Sequence, residues 1–263
     1  MHKINNVNNI KFGLKLWSTN SEEMFREAVE LFEKKVIDFI ELYIVPDFFI
    51  LGKFDFLNDL KNIPTTLHTP HTEHNFDIFT LNDSSIKIFK EQVTKTADFL
   101  GSKFIIVHAG IGESEIIFEK NIKKINDKRI IIENMPKVGI NDELCFGYSY
   151  SQLKFIKNYR FDFCLDIAHA IKSSISQKID YKEFIEKLIL DFKPFYFHIS
   201  NGGTDNEKDE HKNLFDGEFD IKWIKKMLLE SEEKKDIYLV FETPKEGSGL
   251  ENDIKNIKYF RSI

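Results

Sequence analysis

Eight short and nearly uninterrupted apolar runs, each followed by a longer polar stretch, most constrain what this chain can become. They fall at positions 12–17, 36–43, 65–68, 104–108, 130–133, 161–166, 194–198 and 237–242. A strand that is apolar along its whole length is buried on both faces, the situation of parallel strands covered by helices. Amphipathic patterns lie between them: 21–35 places Met24, Phe25, Ala28, Leu31 and Phe32 on one helical face, and 82–101 opens on Asn82 and closes on Gly101. Further helices are expected over 150–158, 181–191, 221–232 and 250–260, and weaker ones after the second and fourth strands. No Gly-rich phosphate loop follows the first strand, so an open dinucleotide-binding sheet is disfavoured. Eight strand–helix units in 263 residues predict one closed (β/α)8 TIM barrel, a single domain over 1–263.

The polar residues fall at the ends of these runs. His68, His108, Glu133, Asp166, His198 and Glu242 close six successive strands. In such barrels chemistry sits at the C-terminal ends of the strands. Asp, Glu and His make up about a fifth of the chain, so six consecutive hits arise by chance roughly once in ten thousand trials. His169 follows Asp166 in a D-x-x-H turn, and Asp209 and His211 form D-x-H in what reads as an extended loop after the seventh strand. Any one of the nine alone reads better as a hydrogen-bonded or helix-capping residue. Nine together would be prohibitive to bury without cations. Mixed imidazole and carboxylate donors suit Zn2+, Mn2+ or Fe2+ better than Ca2+ or Mg2+, and the lack of thiolates argues against a closed structural zinc site.

Composition excludes other classes. A net charge of −6 gives no global attraction for nucleic acid. Cys145 and Cys164 are too few for a disulfide framework, and Cys164, inside an apolar run, reads as a buried thiol. The start, MHKINNVNNIKF, has no apolar signal core, and no stretch is long enough to span a membrane, so a reducing cytoplasmic setting is expected. The 26 Phe residues carry no functional reading.

Through LHTPH, IIVHAG, IIIENMP, LDIAHA, FHISN, DEHKNLFDGEFD and FETP the chain resembles the endonuclease IV branch of the xylose isomerase-like barrels, from about Leu67 to Phe260. That resemblance implies a trinuclear zinc centre cleaving DNA at abasic sites. His68, His108 and Glu133 would hold one ion. Glu133 would bridge to a second, held with Asp166, His198 and Glu242, and His169, Asp209 and His211 would hold the third. Glu133, Asp166, His169 and Glu242 are then the expected catalytic residues. The first two strands depart from the pattern: LKLWSTNSEE replaces a Gly- and Ser-rich segment, and Glu41 in FIELYIVPDFF looks like the sugar isomerase and epimerase members.

Two functions compete on these residues, and a non-catalytic metal-binding barrel is a third reading. One is metal-dependent hydrolysis of a phosphodiester at an abasic site, for which His71, His74 and Phe76 offer rings and Lys53, Lys137, Lys172, Lys208, Lys212 and Lys245 offer point charges. None of Arg26, Arg129, Arg160 and Arg261 is expected at the catalytic face. The other is isomerisation or epimerisation of a small sugar or sugar phosphate, with Glu133 and Glu242 as the acid/base pair.

Overall fold

The computed structural model describes residues 10–46, 56–230, 236–247 and 249–263. Eight parallel strands close into a barrel in sequence order: β1 (Ile10–Trp17), β2 (Phe39–Tyr43), β3 (Thr65–His68), β4 (Ile105–His108), β5 (Ile130–Glu133), β6 (Asp162–Asp166), β7 (Tyr196–Ile199) and β8 (Ile237–Phe241). β1 pairs with β8 from Ile10↔Ile237 to Gly13↔Val240, which completes the (β/α)8 TIM barrel expected from the alternation of runs. The ends shift slightly. β2 begins at Phe39 rather than at position 36, β7 continues to Ile199, and Glu242 lies one residue past β8, its N–H donating to the Ile199 carbonyl at 3.0 Å.

Successive side chains of a strand face opposite sides. One core packs between strands and helices. A second, smaller group fills the barrel interior: Phe39, Ile106, Ile131, Cys164, Tyr196 and Val240. Each of these precedes by two positions a polar residue at the strand top, namely Glu41, His108, Glu133, Asp166, His198 and Glu242. The barrel is therefore an aromatic and aliphatic plug with a charged layer stacked on it. Tyr196 and Tyr238 stack at 5.8 Å, and Phe39 meets Tyr238 edge-on at 5.2 Å. Cys164 lies in this plug, buried as expected, and Cys145 is buried in the loop after β5.

The helices start where the cap chemistry predicts. The Ser21 hydroxyl accepts from the Met24 N–H ahead of helix Glu22–Glu33, and Ser149 with Gln152 forms a capping box on Tyr150–Asn158. The 82–101 run is one continuous helical course with a π-helical stretch at Phe89–Thr94, ending at Gly101 with φ 64°. A weak helix was expected after β4, and Glu115–Ile122 is there. The helix expected over 221–232 is described as Ile221–Glu230; positions 231 and 232 lie outside the described residues. A further helix, Ile167–Gln177, starts directly at the top of β6. The D-x-x-H turn is its first turn, with the Asp166 carboxylate as N-cap accepting the His169 N–H at 2.6 Å.

Gly13 shows how tightly the plug is filled. A Cβ placed there would lie 2.3 Å from the Phe39 ring and 2.7 Å from a Val240 methyl. Overpacking of this kind costs about 1–3 kcal/mol. Gly13→Val is expected to lower the thermal midpoint by roughly 2–10 °C, read by circular dichroism; an unchanged midpoint would mean that the plug has slack.

Candidate metal centre

The barrel brings all nine predicted residues to one end, where five overlapping groups among the described residues have donor atoms close enough to hold an ion: three coincide with the sets that the resemblance implies, and Glu41/His68/His198/Glu242 and Glu133/Cys164/His198 cut across them. Within each of the sets His68/His108/Glu133, Glu133/Asp166/His198/Glu242 and His169/Asp209/His211, one ligand atom per residue lies within 4.8 Å of the others. Glu133 is shared by the first two sets, and the third adjoins it through His169. Fully buried, it has Oε2 at 3.1 Å from His68 Nε2 and 3.4 Å from His108 Nε2, and Oε1 at 3.1 Å from His198 Nδ1 and 3.6 Å from His169 Nδ1. The strand register explains this meeting: His108 pairs with Glu133, and Asp166 with His198.

The imidazoles are oriented as ligands are. A ligating His usually donates its other ring N–H to a carbonyl or carboxylate, which fixes the tautomer. His68 Nδ1 faces the Thr69 carbonyl at 2.7 Å, leaving Nε2 for Glu133. His169 Nδ1 faces the Asn134 carbonyl at 2.8 Å, and its Nε2 lies 3.6 Å from Asp209 Oδ2. His211 Nδ1 faces the Glu242 carbonyl at 2.9 Å, and Nε2 lies 2.5 Å from Asp209. His198 Nε2 is 2.8 Å from Glu41, leaving Nδ1 for Glu133 and Glu242.

Two buried carboxylate oxygens among these residues, Asp166 Oδ2 and Asp209 Oδ1, have no hydrogen-bond partner. Such atoms are costly unless a cation meets them. Together with the tautomer pattern they show that the residues fit divalent ions. Asn134 steadies the set by holding the Asp166 backbone on both sides: its Oδ1 accepts the Asp166 N–H at 2.7 Å and its Nδ2 donates to the carbonyl at 3.0 Å.

Two residues of the first strands belong to the same layer. Lys15, paired in register with Glu41, lies 3.3 Å from its Oε1 and also contacts Glu242. Burial opposes the Lys15 ammonium, but Glu242, Glu41 and Glu133 outweigh it and raise its pKa. Burial likewise opposes the Glu41 carboxylate, yet His198 and Lys15 hold it down to about 2. Glu41 also accepts the Tyr196 hydroxyl proton at 2.7 Å. It thus orients a ligand from behind rather than standing free for a substrate. Lys15 was not among the expected residues, although a lone Lys in the apolar run of LKLW was its signal.

Above the layer opens a cavity of about 460 Å3 lined by Trp17, Tyr43, His71, His108, His211 and Lys245 together with Lys15 and Glu242. That lies within the range for small-ligand sites. Of the ring-bearing loop, His71 lines the cavity, His74 Nδ1 bonds the Tyr43 hydroxyl at 2.8 Å, and Phe76 is core, stacked on Phe89 at 6.2 Å. Phe76 is therefore not available to a ligand, because its apolar ring packs inward. Most of the expected phosphate-tracking lysines are engaged elsewhere. Lys172 is fully buried; Lys208 pairs with Asp142, Lys212 with Glu210 and Lys245 with Asp253. Lys137 lies 5.9 Å from the Tyr148 ring centre, and Lys53 is outside the described residues. Arg26 and Arg129 pair with acids on helices and loops, and Arg261 donates to the Val36 carbonyl. The D-x-H segment is not extended: His211 has φ 47°, in the left-handed region.

The protonation pattern generates a prediction. Burial works against charge on His169, His198 and His211, but the carboxylates around them raise all three, His211 to about 9. Ion-free protein at pH 7 therefore carries protons that ligation must expel. Zinc titration is expected to release protons, with a binding enthalpy that changes with the ionisation heat of the buffer, and apparent affinity should rise with pH. A buffer-independent enthalpy would contradict this. Glu133→Gln, which removes the shared carboxylate charge, is expected to lower the number of ions bound per chain by at least one in metal analysis after gel filtration.

No curated protein matches the chain. Several solved structures share its fold. That described as AsfvAP:AG aligns with a TM-score of 0.65 at 16% identity, covering 97% of this chain and 99% of the other. A xylose isomerase domain containing protein from Salmonella typhimurium LT2 aligns at 0.63 and 11%, covering 97% and 96%. The D-allulose 3-epimerase from Methylomonas sp. aligns at 0.60 and 14%, covering 90% and 85%. Identities this low carry the fold alone. The family profile described as xylose isomerase-like TIM barrel matches residues 53–263, most of the chain, and this protein belongs to that family.

Proposed function

We propose that the chain is a metal-dependent phosphodiester hydrolase of the endonuclease IV type, acting on DNA at abasic sites. The observation that carries this reading is the gathering of nine donors into three sets at one end of the barrel, two of them sharing Glu133 and the third adjoining it through His169 at 3.6 Å. A single-ion sugar enzyme needs only the set Glu133/Asp166/His198/Glu242; His68, His108, His169, Asp209 and His211 lie outside it.

Charge supports the same reading. Glu41, Glu133, Asp166, Asp209 and Glu242 face one ammonium, Lys15, leaving four negative charges when all five are ionised and the histidines are neutral. Three divalent ions would reverse that to two positive, a field suited to a phosphodiester. Such ions, Zn2+ in the first instance with Mn2+ or Fe2+ also suited to the donors, supply Lewis acidity and ionise water near neutral pH. The chain's own groups do the rest. Glu133, Asp166, His169 and Glu242 set the spacing of the reacting oxygens, and Asn134 keeps the Asp166 end rigid. Lys15, charged at neutral pH and at the base of the cavity, can hold an anionic oxygen.

A second reading is isomerisation or epimerisation of a small sugar or sugar phosphate, with Glu133 and Glu242 moving the proton. The specific observations behind it are the cavity of about 460 Å3, the Lys15–Glu41 pair at its base, and the pairing of Lys172, Lys208, Lys212 and Lys245 with acids or carbonyls, which depletes a phosphate track.

Metal analysis of zinc-saturated protein is expected to give three ions per chain, and the loaded protein is expected to nick a duplex carrying one abasic site, with activity lost to a chelator and restored by zinc. One ion per chain, or an intact duplex alongside interconversion of ketoses, would transfer the assignment to the second reading.

A further inference from the structure

The third group draws His169 from a helix and Asp209 and His211 from the loop between β7 and helix Ile221–Glu230, a stretch with no strand and only one isolated bridge, Asn201↔Lys212. Two further side chains of that helix reach the loop: Ser176 Oγ donates to Glu207 at 2.9 Å on the exposed side, and Lys172 does so from the interior. Lys172 stands one turn after His169 on helix Ile167–Gln177 and is fully buried. Its ammonium has three protons and finds three acceptors in the loop within 2.9 Å: the Gly203 carbonyl at 2.8 Å, Asn206 Oδ1 at 2.9 Å and Glu210 Oε2 at 2.7 Å. Glu210 is the residue between the ligands Asp209 and His211. The same Glu210 oxygen accepts the Gly203 N–H at 2.6 Å and Asn206 Nδ2 at 3.2 Å, closing the loop into a knot around the lysine.

The loop also carries a backbone conformation that such contacts help to hold: His211 adopts φ 47°, in the left-handed region that a residue with a Cβ enters at some cost. In that conformation its Nε2 reaches Asp209 Oδ2, and Asp209 leaves Oδ1 buried without a hydrogen-bond partner. Lys172 touches none of the nine ligands in these contacts.

We propose that Lys172 is a positioning residue: by clamping Gly203, Asn206 and Glu210 to the helix that carries His169, it sets the geometry of the His169/Asp209/His211 group and selectively tightens the third ion. The inference rests on the trinuclear reading. Lys172→Met removes the charge and keeps much of the stem's volume. Glu210→Gln keeps the loop's size and removes the charge from the other side. Groups behind metal ligands typically contribute ten- to a hundredfold in affinity. In zinc titrations against a chromophoric chelator, both variants are expected to retain two ions at wild-type affinity and to bind the third at least about tenfold more weakly. Lys34→Met, which cuts the exposed pair with Glu30 at the end of helix Glu22–Glu33, should leave all three unchanged.

Far-UV circular dichroism and the thermal midpoint establish folding, and Glu210→Gln carries the test if Lys172→Met does not fold. Three ions at wild-type affinity in folded variants would overturn the inference alone. Equal weakening of all three ions would also overturn it, since the role would then be general stability. Wild-type protein that saturates below three ions would remove the trinuclear reading and this inference with it.

Discussion

Glu133 is the constraint around which the rest is arranged. A carboxylate with no solvent exposure, within 3.6 Å of four imidazoles, cannot be left without positive partners in a medium where charge is expensive to bury. Each neighbouring group answers that demand. Three histidines donate one ring nitrogen to a backbone carbonyl, and His198 donates to Glu41, so the opposite nitrogen faces the carboxylates. Asn134 fixes the Asp166 backbone, and Lys15 brings the one fixed positive charge of the layer from β1. The result is a rigid charged layer resting on an aromatic plug.

That plug matters to the chemistry above it. Phe39, Ile106, Ile131, Cys164, Tyr196 and Val240 seal the barrel beneath the polar side chains two positions further on. They exclude water from below and leave the cavity at the strand tops as the route of approach. Low local dielectric strengthens every charge interaction in the layer. Tyr196 links the two levels, its ring in the plug and its hydroxyl on Glu41.

The two functional readings share this layer and separate on its surroundings. The donors at β3 and β4 and in the loop after β7 exceed what one ion needs. The first two strands instead add Lys15 and Glu41, whose charges meet Glu242 and His198 inside the barrel. A donor set larger than one ion needs and first strands that add Lys15 and Glu41 therefore coexist in one chain, consistent with a family whose fold serves several reactions.

The barrel and its six strand-end donors were legible in the sequence because both follow from local rules. A parallel strand buried on both faces is apolar throughout, so a terminal His, Asp or Glu stands out against it. Strand period and parallel closure then bring such residues to one end whatever the details. Phe76 had no such signal, since an aromatic residue in a loop can face in or out. The lysines misled for a related reason: Lys172, Lys208, Lys212 and Lys245 each satisfy a partner 2 to 68 residues away, and charge alone does not reveal partners. What the sequence by itself determined is the order of the barrel and the polar residues that stand at its strand ends. Only the tertiary structure decided that Lys15 and Glu41 join them, that Asp166 caps the helix bearing His169, and that Lys172 ties the loop carrying Asp209 and His211. Those pairings exist only once the barrel closes, because closure is what brings side chains distant in sequence within a few ångströms and removes the water that would otherwise satisfy them.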